Sequence, residues 1–191
     1  MVLWFAWYVT WVAAVAWSAR TKVQMKTDMA GLSRLCFSVG LVLLLFVPAH
    51  MGTVAFGTDF ADSMTGRLWQ ESAQVAWSLF AVVVACFGFC WWARVHLGRL
   101  WSGFVTLKEG HHIVDTGPYG LVRHPIYSGI IAAALATALM KATPAALAGF
   151  ALTAAGLSMI AKIEERFLRE QLGTEAYDGY RRRVGMLIPG F

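Results

Sequence analysis

Long uncharged apolar runs alternate along this chain with short polar segments. Residues 2–19, 35–50 and 73–93 each form such a run. Each approaches the roughly 20 helical residues needed to cross a hydrocarbon core about 30 Å thick. A further apolar stretch from Ile126 to Ile163 is too long for one crossing, and Lys141-Ala142-Thr143-Pro144 interrupts it. The pattern predicts a helical hairpin there, with Pro144 in the first turn of the returning helix, where a missing N–H costs nothing. About five transmembrane helices result, in an all-α integral membrane fold with a C-terminal helical hairpin and a cytoplasmic tail. The first run carries no basic leader and no small-residue cleavage site follows it, so it reads as a retained helix.

The basic residues set the expected orientation, because cytoplasmic loops are enriched in Lys and Arg. Residues 20–34 hold Arg20, Lys22, Lys26 and Arg34, whereas residues 51–72 hold only Arg67 beside Asp59, Asp62 and Glu71. Residues 94–125 hold Arg94, Arg99, Lys108 and Arg123; the hairpin tip has Lys141; Lys162, Arg166, Arg169, Arg181, Arg182 and Arg183 follow. The alternation predicts an outside N-terminus and places residues 94–125 and 162–191 together on the cytoplasmic side. The chain divides accordingly into an N-terminal scaffold of three spans, residues 1–93, and a functional core, residues 94–191.

Composition narrows the class. Of 191 residues, 58% are apolar and 14% charged, with a mean hydropathy of +0.58. A soluble domain would be about a quarter charged. The formal charge of +5 sits between apolar runs rather than along one face. That argues against nucleic acid, which requires a continuous basic surface. Cys36, Cys86 and Cys90 lie inside apolar stretches. Their spacing fits neither a metal site nor a disulfide framework, so they read as packing residues and no metal is expected.

Candidate chemistry concentrates in three polar segments. The first runs from Gly110 through His112, Gly117-Pro118-Tyr119 and Arg123-His124-Pro125 to Tyr127 and Gly129. Gly117-Pro118 imposes a turn, and Pro125 opens a helix whose first N–H groups favour an anionic ligand group. The second is Glu164-Glu165-Arg166-Phe167-Leu168-Arg169, running off the last span. Glu165 and Arg169 have the spacing of an i, i+4 ion pair. Glu164, at the membrane boundary, requires a partner, either an arginine or a ligand ammonium. The third segment, Tyr177-Asp178-Gly179-Tyr180-Arg181-Arg182-Arg183, is either a lipid-binding amphipathic tail or the source of an inward arginine that grips an acidic substrate.

Together, in this order and between hydrophobic hairpins, these segments resemble the isoprenylcysteine carboxyl methyltransferase family, and more broadly the membrane methyltransferases that include phospholipid N-methyltransferases. Gly117-Pro118-Tyr119, Arg123 through Gly129, Glu164 through Leu168, Gly173 through Tyr177, Tyr180 and Arg183 carry the resemblance, which covers roughly residues 94–190. It implies an S-adenosylmethionine site formed by His112, Gly117, Pro118, Tyr119, His124, Pro125, Tyr127, Glu164, Glu165 and Tyr177. It also implies catalytic roles for Arg123, Arg183 and Glu164, the two arginines falling where the family holds its substrate carboxylate. Val184-Gly185, in place of a Val-Pro step, and Leu172 before Gly173, in place of an aromatic, depart from the family's eukaryotic enzymes.

The resulting expectation is a methyltransferase acting on a lipidic or small apolar acceptor, an isoprenylcysteine-like carboxylate being the first choice. A phospholipid amine or a small thiol is the alternative acceptor. A sterol-reductase-like enzyme and a non-enzymatic scaffold that grips anionic lipid are the alternative functions.

Overall fold

The computed structural model describes residues 2–24, 28–53, 60–110 and 112–190. Lys26, Asp59 and His111, which entered the sequence reading, lie outside the described residues.

The architecture is a helical membrane bundle. In chain order the helices are α1 (Val2–Ala13), α2 (Asp28–Phe46), α3 (Phe60–Thr65), α4 (Ala73–Leu97), α5 (Pro118–Leu121), α6 (Pro125–Lys141), α7 (Pro144–Leu172) and α8 (Thr174–Arg183). Three of them, α2, α4 and α7, are long and apolar enough to cross a membrane. The first and fourth expected spans correspond to shorter apolar helices, Val2–Trp17 and Pro125–Lys141. Two short strand pairs, which hydrophobic patterning did not indicate, tie loops together. Thr21–Gln24 pairs antiparallel with Thr106–Lys108, and His50–Thr53 pairs parallel with Gly66–Arg67.

The hairpin break forms where the sequence placed it. Ala142 closes α6 in the left-handed region at φ 54°. Thr143 caps α7 by accepting a hydrogen bond from the Ala146 N–H at 3.2 Å, and Pro144 follows in the first turn. Lys141 is more than a loop cation: its Nζ donates to the carbonyls of Leu44 at 2.8 Å and Val47 at 2.6 Å, satisfying the end of α2.

Glycines decide which helices touch. A Cβ on Gly149 would lie 2.6 Å from the Leu44 nitrogen, and one on Gly156 would lie 2.7 Å from the Phe37 nitrogen. Helices α2 and α7 therefore meet backbone to backbone. Between apolar helices in lipid, such close van der Waals contact replaces the hydrophobic drive available in water. The pair α4–α6 is similarly close, with Gly129 against Cys90 and the Cys86 carbonyl. Cys90 is thus a packing residue.

Helix α1 joins the bundle through aromatic rings. Trp4 meets Phe87 edge-on at 5.0 Å, Trp7 stacks on Phe87 at 5.1 Å, and Trp11 meets both Trp91 and Trp101 at 5.5 Å. The Trp4 indole N–H also donates to Thr137 Oγ1 at 3.0 Å. Phe5, Phe46, Trp77 and Val84 point outward, as lipid-facing side chains of such a bundle should.

Arg94, counted above among loop cations, lies inside the protein with no exposed surface. Its guanidinium sits 4.6 Å from the Trp101 ring and 5.1 Å from that of Trp17. It donates to the carbonyls of Ala14 and Gly98, each at 2.7 Å. One cation therefore fixes the end of α1, the end of α4 and the indole between them.

Candidate active site

The polar segments converge at the end of the bundle formed by the last turns of α4 and α7 and the start of α6. Gly117, at φ 57°, turns the chain into α5 with Pro118 in its first turn. A Cβ there would lie 2.8 Å from the His96 ring, so glycine serves both the backbone and the close approach. The His96 ring nitrogen Nε2 lies 3.0 Å from Thr116 Oγ1, holding the loop on α4.

The tail then folds back over the start of α6. The N–H groups of Arg123 and His124 donate to the carbonyls of Gly185 at 2.8 Å and Met186 at 3.1 Å. Ser128 Oγ donates to the Leu187 carbonyl at 2.7 Å. Tyr180 Oη donates to the Tyr119 carbonyl at 2.7 Å. The two amides just before α6 are therefore taken by the tail. Burial pushes the hydroxyls of Tyr119, Tyr177 and Tyr180 above their ordinary range, so all three remain protonated.

The two neighbouring glutamates of α7 point to different tasks, because successive residues are about 100° apart around a helix. Glu165 is buried, with Arg123 Nε at 2.6 Å, Arg181 Nε at 3.4 Å and His124 Nε2 at 3.4 Å. The Arg123 Nη1 also donates to the carbonyls of Arg181, at 3.2 Å, and Val184. Arg123 thus staples α6 to α7 and caps the end of α8. The expected Glu165–Arg169 pair is not what forms: Arg169 makes two hydrogen bonds to Asp178, at 2.9 and 2.8 Å, and Glu165 belongs to the inner cluster. Packing in three dimensions offers each a partner that local spacing does not reveal.

Glu164 faces a cleft. Its Oε2 accepts a hydrogen bond from Tyr127 Oη at 3.0 Å and lies 3.8 Å from His124 Nδ1. The His124 and Tyr127 rings are parallel within 3°, at 5.3 Å. The His124 Nε2 is buried near Glu165 but makes no hydrogen bond, the distance falling in ion-pair range only. The cleft encloses about 780 Å³ including its mouth.

Eight expected site residues line this cleft: His112, Tyr119, Arg123, His124, Pro125, Tyr127, Glu164 and Tyr177. Gly117, Pro118, Glu165 and Arg183 do not. Gly117 and Pro118 shape the loop and Glu165 anchors the cluster. The Arg183 Nη2 donates to Asp115 at 2.9 Å on an exposed edge. Leu97, Leu100, Trp101 and Phe104 form a wall that sequence reasoning missed. Leu168 and Leu172 also line it, and their signal was present, since they follow Glu164 at i+4 and i+8 on one helical face.

Residues 78–170, which contain this glutamate pair and the Arg-His-Pro turn, match the model of the isoprenylcysteine carboxyl methyltransferase (ICMT) family. Over that segment, just under half of the chain, the protein is similar to the ICMT family. Methyltransferases of the ICMT family are S-adenosylmethionine-dependent enzymes. A methanethiol S-methyltransferase from a Pseudomonas strain is 28% identical over 205 aligned residues, covering 95% of this chain and 75% of that protein. A probable protein-S-isoprenylcysteine O-methyltransferase from Oryza sativa subsp. indica is 32% identical over 100 residues, covering 51% of this chain and 52% of the rice protein. The chain thus spans three quarters of the first relative and about half of the second. The ICMT-family match ends at residue 170. The tail contacts that complete the cleft, from Tyr177 to Leu187, lie beyond it.

Proposed function

We propose that this membrane protein transfers the methyl group of S-adenosylmethionine to a small apolar thiol, in a cleft facing the cytoplasm. The observation that carries the reading is the charge arrangement of the cleft. A carboxyl, Glu164, faces inward with the Tyr127 hydroxyl. Arg123, the one Lys or Arg among the described residues lining the cleft, is committed through Nε and Nη1 to Glu165 and two carbonyls. Such a site suits a ligand ammonium and sulfonium better than an acceptor carboxylate. The likeness to a methanethiol S-methyltransferase along 95% of the chain supports the same acceptor class.

The donor set fits the cofactor. Glu164 and His124 would hold its amino-acid group, and Tyr119, Tyr177, Leu168 and Leu172 would enclose its apolar parts. When bound, S-adenosylmethionine supplies an electrophilic methyl on a sulfonium. The protein's part is alignment, worth up to about 7–11 kcal/mol when reacting atoms are held in line. The acceptor sulfur contributes the electron pair of the new S–CH3 bond, the pair of the broken bond stays on the cofactor's sulfur, and the thiol proton leaves to solvent. In this reading residues 94–191 carry the chemistry and residues 1–93 are scaffold. Arg123 is a positioning residue. Arg183 stays a candidate for guiding an acidic acceptor only if it leaves Asp115. The carboxylate-clamp alternative requires both arginines to break the bonds described above.

Methyl transfer from labelled cofactor to thiols, lipidic carboxylates and phospholipid amines, with S-adenosylhomocysteine affinity measured alongside, tests the reading. Product is expected with small thiols. Product confined to carboxylates or amines refutes the thiol assignment, and absence of S-adenosylhomocysteine binding refutes the cofactor site.

A further inference from the structure

The lining of the cleft is divided by chemistry. Glu164, Tyr127, His124 and Tyr177, from α7, the start of α6 and α8, form its polar side. Leu97, Leu100, Trp101 and Phe104, from the end of α4 and the loop after it, form a side without charge. The Glu164 carboxyl draws a cationic cofactor toward the first side. The second is left for an acceptor that is apolar apart from its sulfur. Both sides line the same cleft, so an acceptor on the apolar side meets the methyl with no partition between them.

The two aromatic residues of the apolar side are held differently. Trp101 is 8% exposed, with the Arg94 guanidinium 4.6 Å from its ring and Trp11 edge-on at 5.5 Å. It is a fixed floor. Phe104 is 53% exposed and still lines the cleft, as a side chain at a rim does. Its N–H donates to Ser102 Oγ at 3.2 Å, a local bond that sets the turn but leaves the ring free to rotate. The ring itself is met by the Arg34 guanidinium of α2, 4.6 Å from its centre. A cation over an exposed aromatic face attracts weakly, enough to favour one ring position by about twofold to fivefold and too little to lock it. Two residues beyond Phe104, Thr106–Lys108 pairs with Thr21–Gln24, which precedes α2 in the chain, so the loop stays beside the helix that carries Arg34.

We propose that the acceptor lies in the cleft against Leu97, Leu100 and Trp101, and that Phe104, positioned by Arg34, sets how long an alkyl thiol is accepted. The inference rests on the methyltransferase reading and adds to it a specificity-determining residue and a positioning residue. The second of these belongs to the segment otherwise read as scaffold. The physical reason is that Trp101 cannot yield, so a chain longer than the apolar side must push the Phe104 ring away from Arg34. An apolar pocket discriminates by about 10–200-fold per methylene when the extra group has no room. Short thiols leave the ring in place and are favoured.

The experiment uses the full chain in detergent with three variants: Phe104→Ala, which removes the ring, Phe104→Leu, which shortens it, and Arg34→Met, which removes the cation and keeps an apolar side chain of similar reach. Methyl transfer to methanethiol and to straight-chain alkyl thiols up to hexanethiol gives kcat/KM, and calorimetry with S-adenosylhomocysteine confirms a folded cleft. The readout is the ratio of kcat/KM for methanethiol to that for hexanethiol. It is expected to fall by about tenfold or more in Phe104→Ala, as room for added methylenes allows. In Arg34→Met it is expected to fall by about twofold to fivefold, the worth of the lost contact. A purely structural role for either residue lowers Tm and leaves the ratio alone. An unchanged ratio in Phe104→Ala that still binds S-adenosylhomocysteine overturns the inference. If that variant does not fold, Phe104→Leu and Arg34→Met decide by the same ratio, and no change in both overturns it. Should the parent methylate amines or carboxylates and no thiol, the thiol assignment fails by itself. The rim is then judged by the same ratio for short- and long-chain members of the acceptor class that is used, and an unchanged value overturns it in that case too.

Discussion

Substituting Arg123 separates a positioning role from a substrate-clamp role. The guanidinium lies 2.6 Å from Glu165, with the two side chains 8% and 7% exposed, and also holds the carbonyls of Arg181 and Val184. Removing one member of a buried ion pair typically costs about 3–5 kcal/mol, because the other charge is left desolvated. Arg123→Ala is therefore expected to destabilise by about that amount. At roughly 2–4 °C per kcal/mol for a chain of this size, Tm falls by about 6–20 °C. Lysine in the same place reaches either Glu165 or the carbonyls, since it lacks the fork. Arg123→Lys should lose one charge-assisted bond, about 1.5–3 kcal/mol. Glu165→Gln removes the same interaction from the other side, so its combination with Arg123→Ala should cost less than the sum. Because Arg123 seats the tail whose Tyr177 and Tyr180 line the cleft, S-adenosylhomocysteine affinity should fall with Tm across the series. Thermal unfolding in detergent, with and without S-adenosylhomocysteine, reads both quantities. A pure carboxylate clamp makes the opposite forecast: stability and cofactor affinity untouched, turnover alone reduced. Arg123→Lys and Glu165→Gln proteins within about 1 °C of the parent would refute the staple.

Four further outcomes are expected, three of them from the same geometry. Glu164→Gln should weaken S-adenosylhomocysteine binding by about tenfold or more, the worth of a charged hydrogen bond. Lys141→Met, at the far end of α6, should lower Tm by removing the cap on α2 and leave that affinity unchanged in calorimetry. Gly156→Val should block the close approach of α2 and α7 and cost about 1–3 kcal/mol or more, read as lost Tm or loss of folded protein from the membrane; wild-type stability would mean the helices do not meet there. Single cysteines at Ser102 and Thr174, after the native thiols are replaced, should resist an impermeant reagent in intact cells and react after lysis, as the alternation of basic loops requires. Labelling before lysis would reverse the orientation.

What the sequence determined by itself is local. Uninterrupted apolar runs, the Lys-Ala-Thr-Pro break and the Gly-Pro and Arg-His-Pro turns specify helices, a hairpin and a loop, because length, hydropathy and special backbone residues act within a few positions. The gathering of Tyr119, His124, Tyr127, Glu164 and Tyr177 was legible as well, through their polar chemistry at the ends of apolar helices and the family pattern they share. Partner choice was decided only in the tertiary structure. Glu165 takes Arg123, 42 residues away, over Arg169 one turn along its own helix, and the tail takes the amides of Arg123 and His124 just before α6. Nor could sequence place Arg94 between two tryptophans. A helix bound for lipid is apolar around its circumference, so no polar stripe marks its packing face. Contacts there are selected by glycine-sized gaps, ring shapes and the few polar groups that must find partners, and those partners lie tens of residues apart.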